Sequence, residues 1–290
     1  MFEGRSIALV VKSHDERATA AAATLRQWCA DNGVQVKSYD ANQANRNVAP
    51  TVGLVVALGG DGTILRAIRE LSNYDIPVLG VKFGRLGFLS GAPASEAIDA
   101  VKAALSGEVQ IEQRAMLNVH AWSGSTCLGQ YKALNEALMG RNPQALIVVS
   151  QLIINGHPVY KQQGDGIIAA TATGSTAYAL SAGGPILSPG FRGIALVPLA
   201  SHSLVSRPIV TAPSDAVRIE LPSPTHAGVT LTIDGLAVYN SDESDHALTH
   251  IDVELSNQSV SLVKTSSRLF FDTLASEFFV QRDGCKRTSS

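Results

Sequence analysis

Long apolar runs are missing from this 290-residue chain, and no stretch approaches the 18 consecutive apolar residues of a membrane-spanning helix. Cysteine is scarce. Cys29, Cys127 and Cys285 are widely spaced, odd in number and without a C-x-x-C pair, which supports neither a disulfide framework nor a zinc site and points to a reducing compartment. No charge of one sign dominates: 23 basic against 25 acidic residues give a formal net charge of −2, so there is no bulk electrostatic case for nucleic acid or an anionic membrane. Any anion site must be local. The opening MFEGRSIALVVKSHDE carries acidic residues and one short apolar run, unlike a signal peptide, so a soluble cytoplasmic protein is expected. Two common nucleotide fingerprints are absent as well. A dinucleotide G-x-G-x-x-G would need glycine where Leu65 stands, and the Gly-Lys-Ser/Thr of a Walker A loop occurs nowhere.

What is present centres on Val52 to Leu71. Leu54 to Leu58 form a short continuous apolar run, suited to a strand buried on both faces of a parallel sheet. Gly59, Gly60 and Gly62 then let the backbone turn tightly and bring its N–H groups close to a phosphate, and Ile64, Leu65, Ile68 and Leu71 repeat at helical spacing. Strand, glycine turn and helix N-terminus together make an anion site. Asp61 does not fit a purely anion-binding turn, since its carboxylate would repel a phosphate. It reads as a base, with two plainer alternatives: an ordinary glycine turn, or Asp61 as the cap of its helix.

Around this stretch the chain reads as βαβ units. Ile7 to Val11 is a first strand, Asp15 to Ala30 a helix closed by Asn32-Gly33, Val34 and Val36 the start of a second strand, and Ile76 to Val81 a fourth. The fourth leads into a loop carrying Lys82 and Arg85, which should share the sheet edge with Asp61 and could neutralise phosphate there; the equal alternative is a pair of solvated loop cations. Pro93 to Leu105 gives a last helix. Beyond Arg114 short strands with turns take over, with hairpin signals at Asn155-Gly156, Asp234-Gly235 and Asn257-Gln258. The expected plan is an α/β domain over 1–114, an all-β sandwich over 115–266, and a C-terminal helix and tail over 267–290. That helix, Ser267 to Val280, is rich in phenylalanine and must bury itself on its own chain or on a partner. Pro222 to Thr225 reads as a loop within the sandwich.

Two more clusters carry chemistry. One is Asn135-Glu136, an amide beside a carboxylate. The other runs from Gly164 to Pro185, where small and hydroxyl residues, too slight to build a core, should line something. With these motifs the chain resembles the bacterial NAD kinases: GGDGT at Gly59 to Thr63, GxLGFL at Gly84 to Leu89, the Asn135-Glu136 pair, GDG at Gly164 to Gly166, TGSTAY at Thr173 to Tyr178, and the stretch from Leu196 to Val210. The resemblance implies a Rossmann-like parallel sheet, a β-sandwich, a last helix returning to the first domain, and a homodimer or homotetramer.

By position, Asp61 resembles the family's catalytic base and Gly62 its backbone neighbour. Asn135, Glu136 and Asp165 resemble dinucleotide contacts, as do Thr176, Ala177, Tyr178, Ala179, Leu180 and Ser181, with Tyr178 stacking on a ring; Ala200 is a further match. Gly59, Gly60, Gly62, Thr63, Lys82 and Arg85 would serve the phosphates of ATP, whose Mg2+ or other divalent ion comes with the nucleotide; no residue is assigned as a metal ligand. The chain departs from the family pattern at Lys82 (commonly Asn), Ala172 (Pro), Ser201 (Pro) and Leu236 (Gln). The implied activity is transfer of the γ-phosphate of ATP to the 2′-hydroxyl of the adenosine ribose of NAD. A catalytically inactive NAD or NADP sensor is one alternative; a lipid kinase, sharing only the GGDGT turn, is another.

Overall fold

Three apolar runs and the mostly polar edge segment QVKSYD become parallel strands, β1 (Ser6–Val11), β2 (Gln35–Asp40), β3 (Leu54–Leu58) and β4 (Val78–Lys82), in the order β2-β1-β3-β4 with the polar β2 at the edge. The structure is a computed structural model and describes residues 4–43, 52–71, 74–84, 87–142, 145, 147–202, 206–222, 228–265 and 270–279. Every residue of β3 is buried because helices cover both faces. On one side α1 (Glu16–Asp31) and α3 (Ala97–Ser106) set Leu25, Cys29, Val101 and Leu105 against Leu9, Leu54 and Val56. On the other, α2 (Asp61–Arg69) sets Ile64, Ala67 and Ile68 against Val10, Val55 and Ala57. Asp15 caps α1 by accepting the Arg17 N–H. The helix expected from Pro93 starts later, at Ala97: a two-residue strand β5 (Ala92–Pro93) and a 3-10 turn at Ala94–Glu96 precede it.

The remaining strands are β6 (Gln110–Ser123), β7 (Thr126–Ala133), β8 (Glu136–Arg141), β9 (Val148–Ile154), β10 (His157–Gly164), β11 (Gly166–Ala170), β12 (Ala195–Leu199), β13 (Ile209–Val210), β14 (Val217–Glu220), β15 (Val229–Ile233), β16 (Leu236–Asn240) and β17 (His250–Lys264). Six of them form an antiparallel sheet ordered β13-β12-β11-β8-β15-β16. Its inner residues Met139, Ile167, Leu196 and Leu231 meet Leu117, Val119, Leu152 and Val253 of the other sheet in one core, the period-2 alternation of a sandwich. The other sheet is shared: β17 lies antiparallel to β6 and parallel to β4, so the order β10-β9-β14-β17-β4-β3-β1-β2 runs from the sandwich into the α/β part. β17 is the seam.

One expected hairpin is not formed. Asn257-Gln258 lies inside β17, where both flanking halves pair with the same strand β6 and the extra residues make a bulge between Leu255 and Ser259. The hairpins at Asn155-Gly156 and Asp234-Gly235 do form, with Asn155 at φ 52° and Asp234 at φ 47°. The C-terminal helix is shorter than expected within the described residues: α5 (Phe270–Leu274), then a π turn at Ala275–Phe279. It does return to the first domain. Phe270 and Phe278 pack on Phe88 with ring centroids 5.5 and 6.1 Å away. Arg85, Cys285 and the 223–225 part of the predicted loop lie outside the described residues.

Candidate active site

The glycine turn carries β3 into α2 at the carboxyl edge of the parallel sheet. Gly60 is the helix N-cap, with no side-chain bond, and Asp61 is the first helical residue. Asp61 is therefore no cap. Its Oδ1 is buried without a hydrogen-bond partner among the described residues, and the nearest cation is Lys82 at the end of β4, with Nζ 3.7 Å away. The loop after β4 thus shares an edge with the Asp61 turn. Gly87 in that loop comes so close that a Cβ there would fall against both Asp61 oxygens and the Lys82 ammonium. From behind, Lys264 donates from Nζ to the carbonyls of Ser90 at 2.8 Å and Phe88 at 3.2 Å. Burial and then Arg114 push its pKa down to about 8, against the opposing pull of Glu112 and Asp61.

The Asn135-Glu136 pair sits in the turn between β7 and β8, and a residue from another hairpin builds it. The Asp234 carboxylate accepts the N–H groups of Leu134, Asn135 and Glu136 at 2.9, 2.7 and 3.0 Å. Asn135 is further tied by its carbonyl, which accepts Thr171 N–H at 2.9 Å. Gly174 packs so tightly on that peptide that any Cβ would collide with it. Glu136 is buried, its Oε2 has no partner among the described residues, and burial followed by the Asp234 charge raises its pKa to about 7. A buried carboxylate oxygen without a donor awaits one.

Leu134 packs into the cluster that holds Ile64 and Ile68 of α2, which brings this turn alongside the Asp61 helix. A cleft of about 730 Å³ opens there, lined by Gly62, Leu65, Arg66, Arg69, Asp234 and Gly235 among others. The small-residue run follows β11. Its hydroxyls are used within the fold: Thr171 Oγ1 donates to Leu134 O at 2.5 Å, tying the run to the β7–β8 turn, and Ser175 Oγ donates to Ala172 O at 2.6 Å within the loop. Thr176 ends a 3-10 turn, Ala177 follows, and Tyr178, Ala179, Leu180 and Ser181 form the four-residue α4. Ala179 is buried while the Tyr178 ring is exposed, free to meet a ligand.

Asp165 and Ala200 lie elsewhere. Along the β8–β11 ladder Glu136 pairs with Ala170, whereas Gly140 pairs with Gly166 beside Asp165, so Asp165 is displaced from the Asn135-Glu136 end by about 13 Å of strand. Ala200 is its neighbour, following Leu199, whose carbonyl accepts Asp165 N–H at 2.8 Å. Asp165 is paired there with Arg141 at 2.6 Å. The structure thus gathers Asp61, Gly62, Thr63 and Lys82 near Asn135 and Glu136 and sets Asp165 and Ala200 at the far strand end. Sequence reasoning missed three contributors: Asp234, taken only as a turn residue, the buried Arg114 and the half-buried Lys264. No local signal marked them: Asp234 occupies a hairpin turn, and Arg114 and Lys264 stand on strands that carry other polar residues.

Comparison with known proteins bears on the same segments. Residues 4–109 match the ATP-NAD kinase N-terminal domain model and residues 134–265 the ATP-NAD kinase C-terminal domain model. An NAD kinase of Citrifermentans bemidjiense is 34% identical over 243 residues, 80% of this chain and 84% of the relative. Another, of Colwellia psychrerythraea, is 31% identical over 93% of this chain and 94% of its own. Among solved structures, a yeast NADH kinase complexed with NADH shares the fold at a TM-score of 0.82 and 24% identity, covering 98% of this chain and 90% of that one. An NAD kinase from Archaeoglobus fulgidus in complex with ATP does so at 0.74, with 24% identity, 93% and 99% coverage. Two domain models in chain order, and relatives above 30% identity along most of its length, show that this chain belongs to the ATP-NAD kinase family.

Proposed function

We propose that this chain transfers the γ-phosphoryl group of ATP to the 2′-hydroxyl of the adenosine ribose of NAD, yielding NADP and ADP. The observation that carries this reading is the Asp61 carboxylate, with one buried oxygen lacking a hydrogen bond among the described residues, held at the N-terminus of α2 beside the cleft. The ribose oxygen attacks the γ-phosphorus, its proton passes to Asp61, and the bond to the ADP oxygen breaks. Gly60 and Gly62 bring main-chain N–H groups to the phosphates, those of Gly59 and Thr63 being given to the carbonyls of Val81 and Gly60 so that these two residues shape the turn, and Lys82 offsets the phosphate charge. Asn135 and Glu136 hold the adenosine portion, with the Tyr178 ring available for stacking.

A divalent ion fits as a companion of the triphosphate. No group of three or more His, Cys, Asp or Glu that could cage a metal occurs among the described residues, and Mg2+ is commonly held by substrate phosphates with one or two carboxylates. Asp61 is the carboxylate placed to assist. When bound, the ion would neutralise developing phosphate charge. Asp165 and Ala200, remote from Asn135 within one chain, serve the site of a second copy, so the working unit is a homodimer or homotetramer. No helix among the described residues is long and apolar enough to cross a membrane, and we place the activity in the cytoplasm with its soluble substrates.

The test is direct: purified protein, ATP, magnesium and NAD are mixed, and NADP is followed through an NADP-specific dehydrogenase. NADP formation that requires ATP supports the reading. NAD binding by calorimetry without any NADP would overturn it.

A further inference from the structure

Arg114 is 2% exposed, the largest of the fully buried side chains, and it touches both halves of the site. Its Nη2 donates to Phe88 O at 3.3 Å, in the loop that packs on Asp61, and its Nη1 donates to Thr173 Oγ1 at 3.3 Å, in the loop that packs on Asn135. Glu112, two residues earlier on β6, accepts from the same Nη2 at 2.9 Å and lies 3.8 Å from Lys264 Nζ. Lys264, at the end of β17, shares the Phe88 carbonyl with Arg114 and adds that of Ser90. Two cations and one carboxylate therefore converge on one loop at the seam between the domains.

With Arg114 buried and Glu112 and Lys264 partly so, an ion cluster of this kind rarely stabilises a fold more than apolar side chains of the same volume would, whereas its directional bonds fix geometry. The fixed geometry here is specific. Phe88 adjoins Gly87, whose main chain abuts the Asp61 carboxylate and Lys82, and Thr173 adjoins Gly174, which abuts the Asn135 peptide. Any shift of the guanidinium moves the acceptor of the ribose proton relative to the turn that holds the dinucleotide.

We propose that Arg114, braced by Glu112 and Lys264, is a positioning residue that sets the distance between the Asp61 turn and the Asn135-Glu136 turn. This rests on the kinase reading above, but it fails separately: if the unaltered protein makes NADP and the variants below behave normally, only the positioning role is lost.

The measurement compares Arg114→Met and Arg114→Lys with the unaltered chain for kcat, KM for ATP, KM for NAD and thermal midpoint. Displacement by an ångström at a reacting centre costs up to about 100-fold, so Arg114→Met should lower kcat by roughly 10- to 100-fold with KM for ATP within about threefold, and Arg114→Lys should recover part of that loss. In an Asp61→Asn background Arg114→Met should add little, because the group being positioned is already gone. Thr173→Val cuts one arm of the bridge, leaves the Arg114–Glu112–Lys264 cluster in place and should lower kcat several-fold while the thermal midpoint falls by only a few degrees from the lost bond, which keeps the test open if Arg114→Met does not fold. Normal kcat in Thr173→Val, or losses in Arg114→Met and Asp61→Asn that multiply in full, would overturn the proposal.

Discussion

Asp234 accepts the Asn135 N–H at 2.7 Å although 99 positions separate the two residues, so the turn predicted to hold the dinucleotide is shaped by a hairpin near the other end of the chain. Asp234→Ala leaves three buried N–H groups without an acceptor, each loss being worth about 1–3 kcal/mol. Removing a carboxylate whose pKa burial has raised offsets part of that sum, so the expected result is destabilisation of about 2–5 kcal/mol in urea unfolding, with NAD affinity falling before ATP affinity. A change under about 0.5 kcal/mol would show that water replaces the carboxylate.

Asp61→Asn should lower turnover by roughly 10² to 10⁴ with little change in melting temperature. Because Gly60 and not Asp61 caps α2, Asp61→Ala should be equally inactive and equally stable. A melting temperature that drops only in the alanine variant, with turnover kept in Asp61→Asn, would restore the capping reading.

Gly87→Ala places a methyl against the Asp61 carboxylate and the Lys82 ammonium. Both are ends of side chains that can swing aside, so the fold should survive with a loss below about 2 kcal/mol. The displaced carboxylate should reduce kcat at least tenfold by the same coupled assay. Wild-type kcat would mean that Asp61 need not stand where the structure puts it.

Glu136 gives a pH-dependent stability whose sign follows from its raised pKa. Between the ordinary value of 4.5 and about 7 the folded protein binds the proton and the unfolded chain does not, so this group's contribution is complete below pH 4.5 and is lost as pH rises through 7. Glu136→Gln removes that dependence. The stability of the glutamine variant relative to the parent should grow by an amount of order 3 kcal/mol across the window and then level off. Parallel stability curves for the two proteins would contradict the buried, unpaired placement of Glu136.

If Asp165 acts in the site of a second copy, mixing two weak variants should restore activity. Asp61→Asn and Asp165→Ala subunits, allowed to exchange, would generate dimers with one intact site, and about a quarter of full turnover is expected. No recovery despite a dimeric mass by light scattering would place Asp165 outside the site.

The sequence by itself determined the elements whose signals are local. The β1 and β3 runs, the span of α1, the glycine turn and the hairpins at Asn155 and Asp234 all depend on periodicity or turn chemistry within a dozen residues, which neighbours in the chain settle by themselves. The motifs behind the family resemblance were local information too, and they singled out Asp61, Asn135 and Glu136 as candidates. Tertiary structure decided the rest. Whether Asn257-Gln258 reverses the chain or bulges within it depends on β6, more than 130 residues away, accepting both halves of β17. Strand register carried Asp165 to the end of the ladder opposite Asn135. The charges that organise the site, Asp234 under the Asn135 turn and Arg114 with Lys264 behind the Asp61 loop, meet their partners across 26 to 176 positions. Burial gives such contacts their strength, and burial exists only once the two sheets have closed over them.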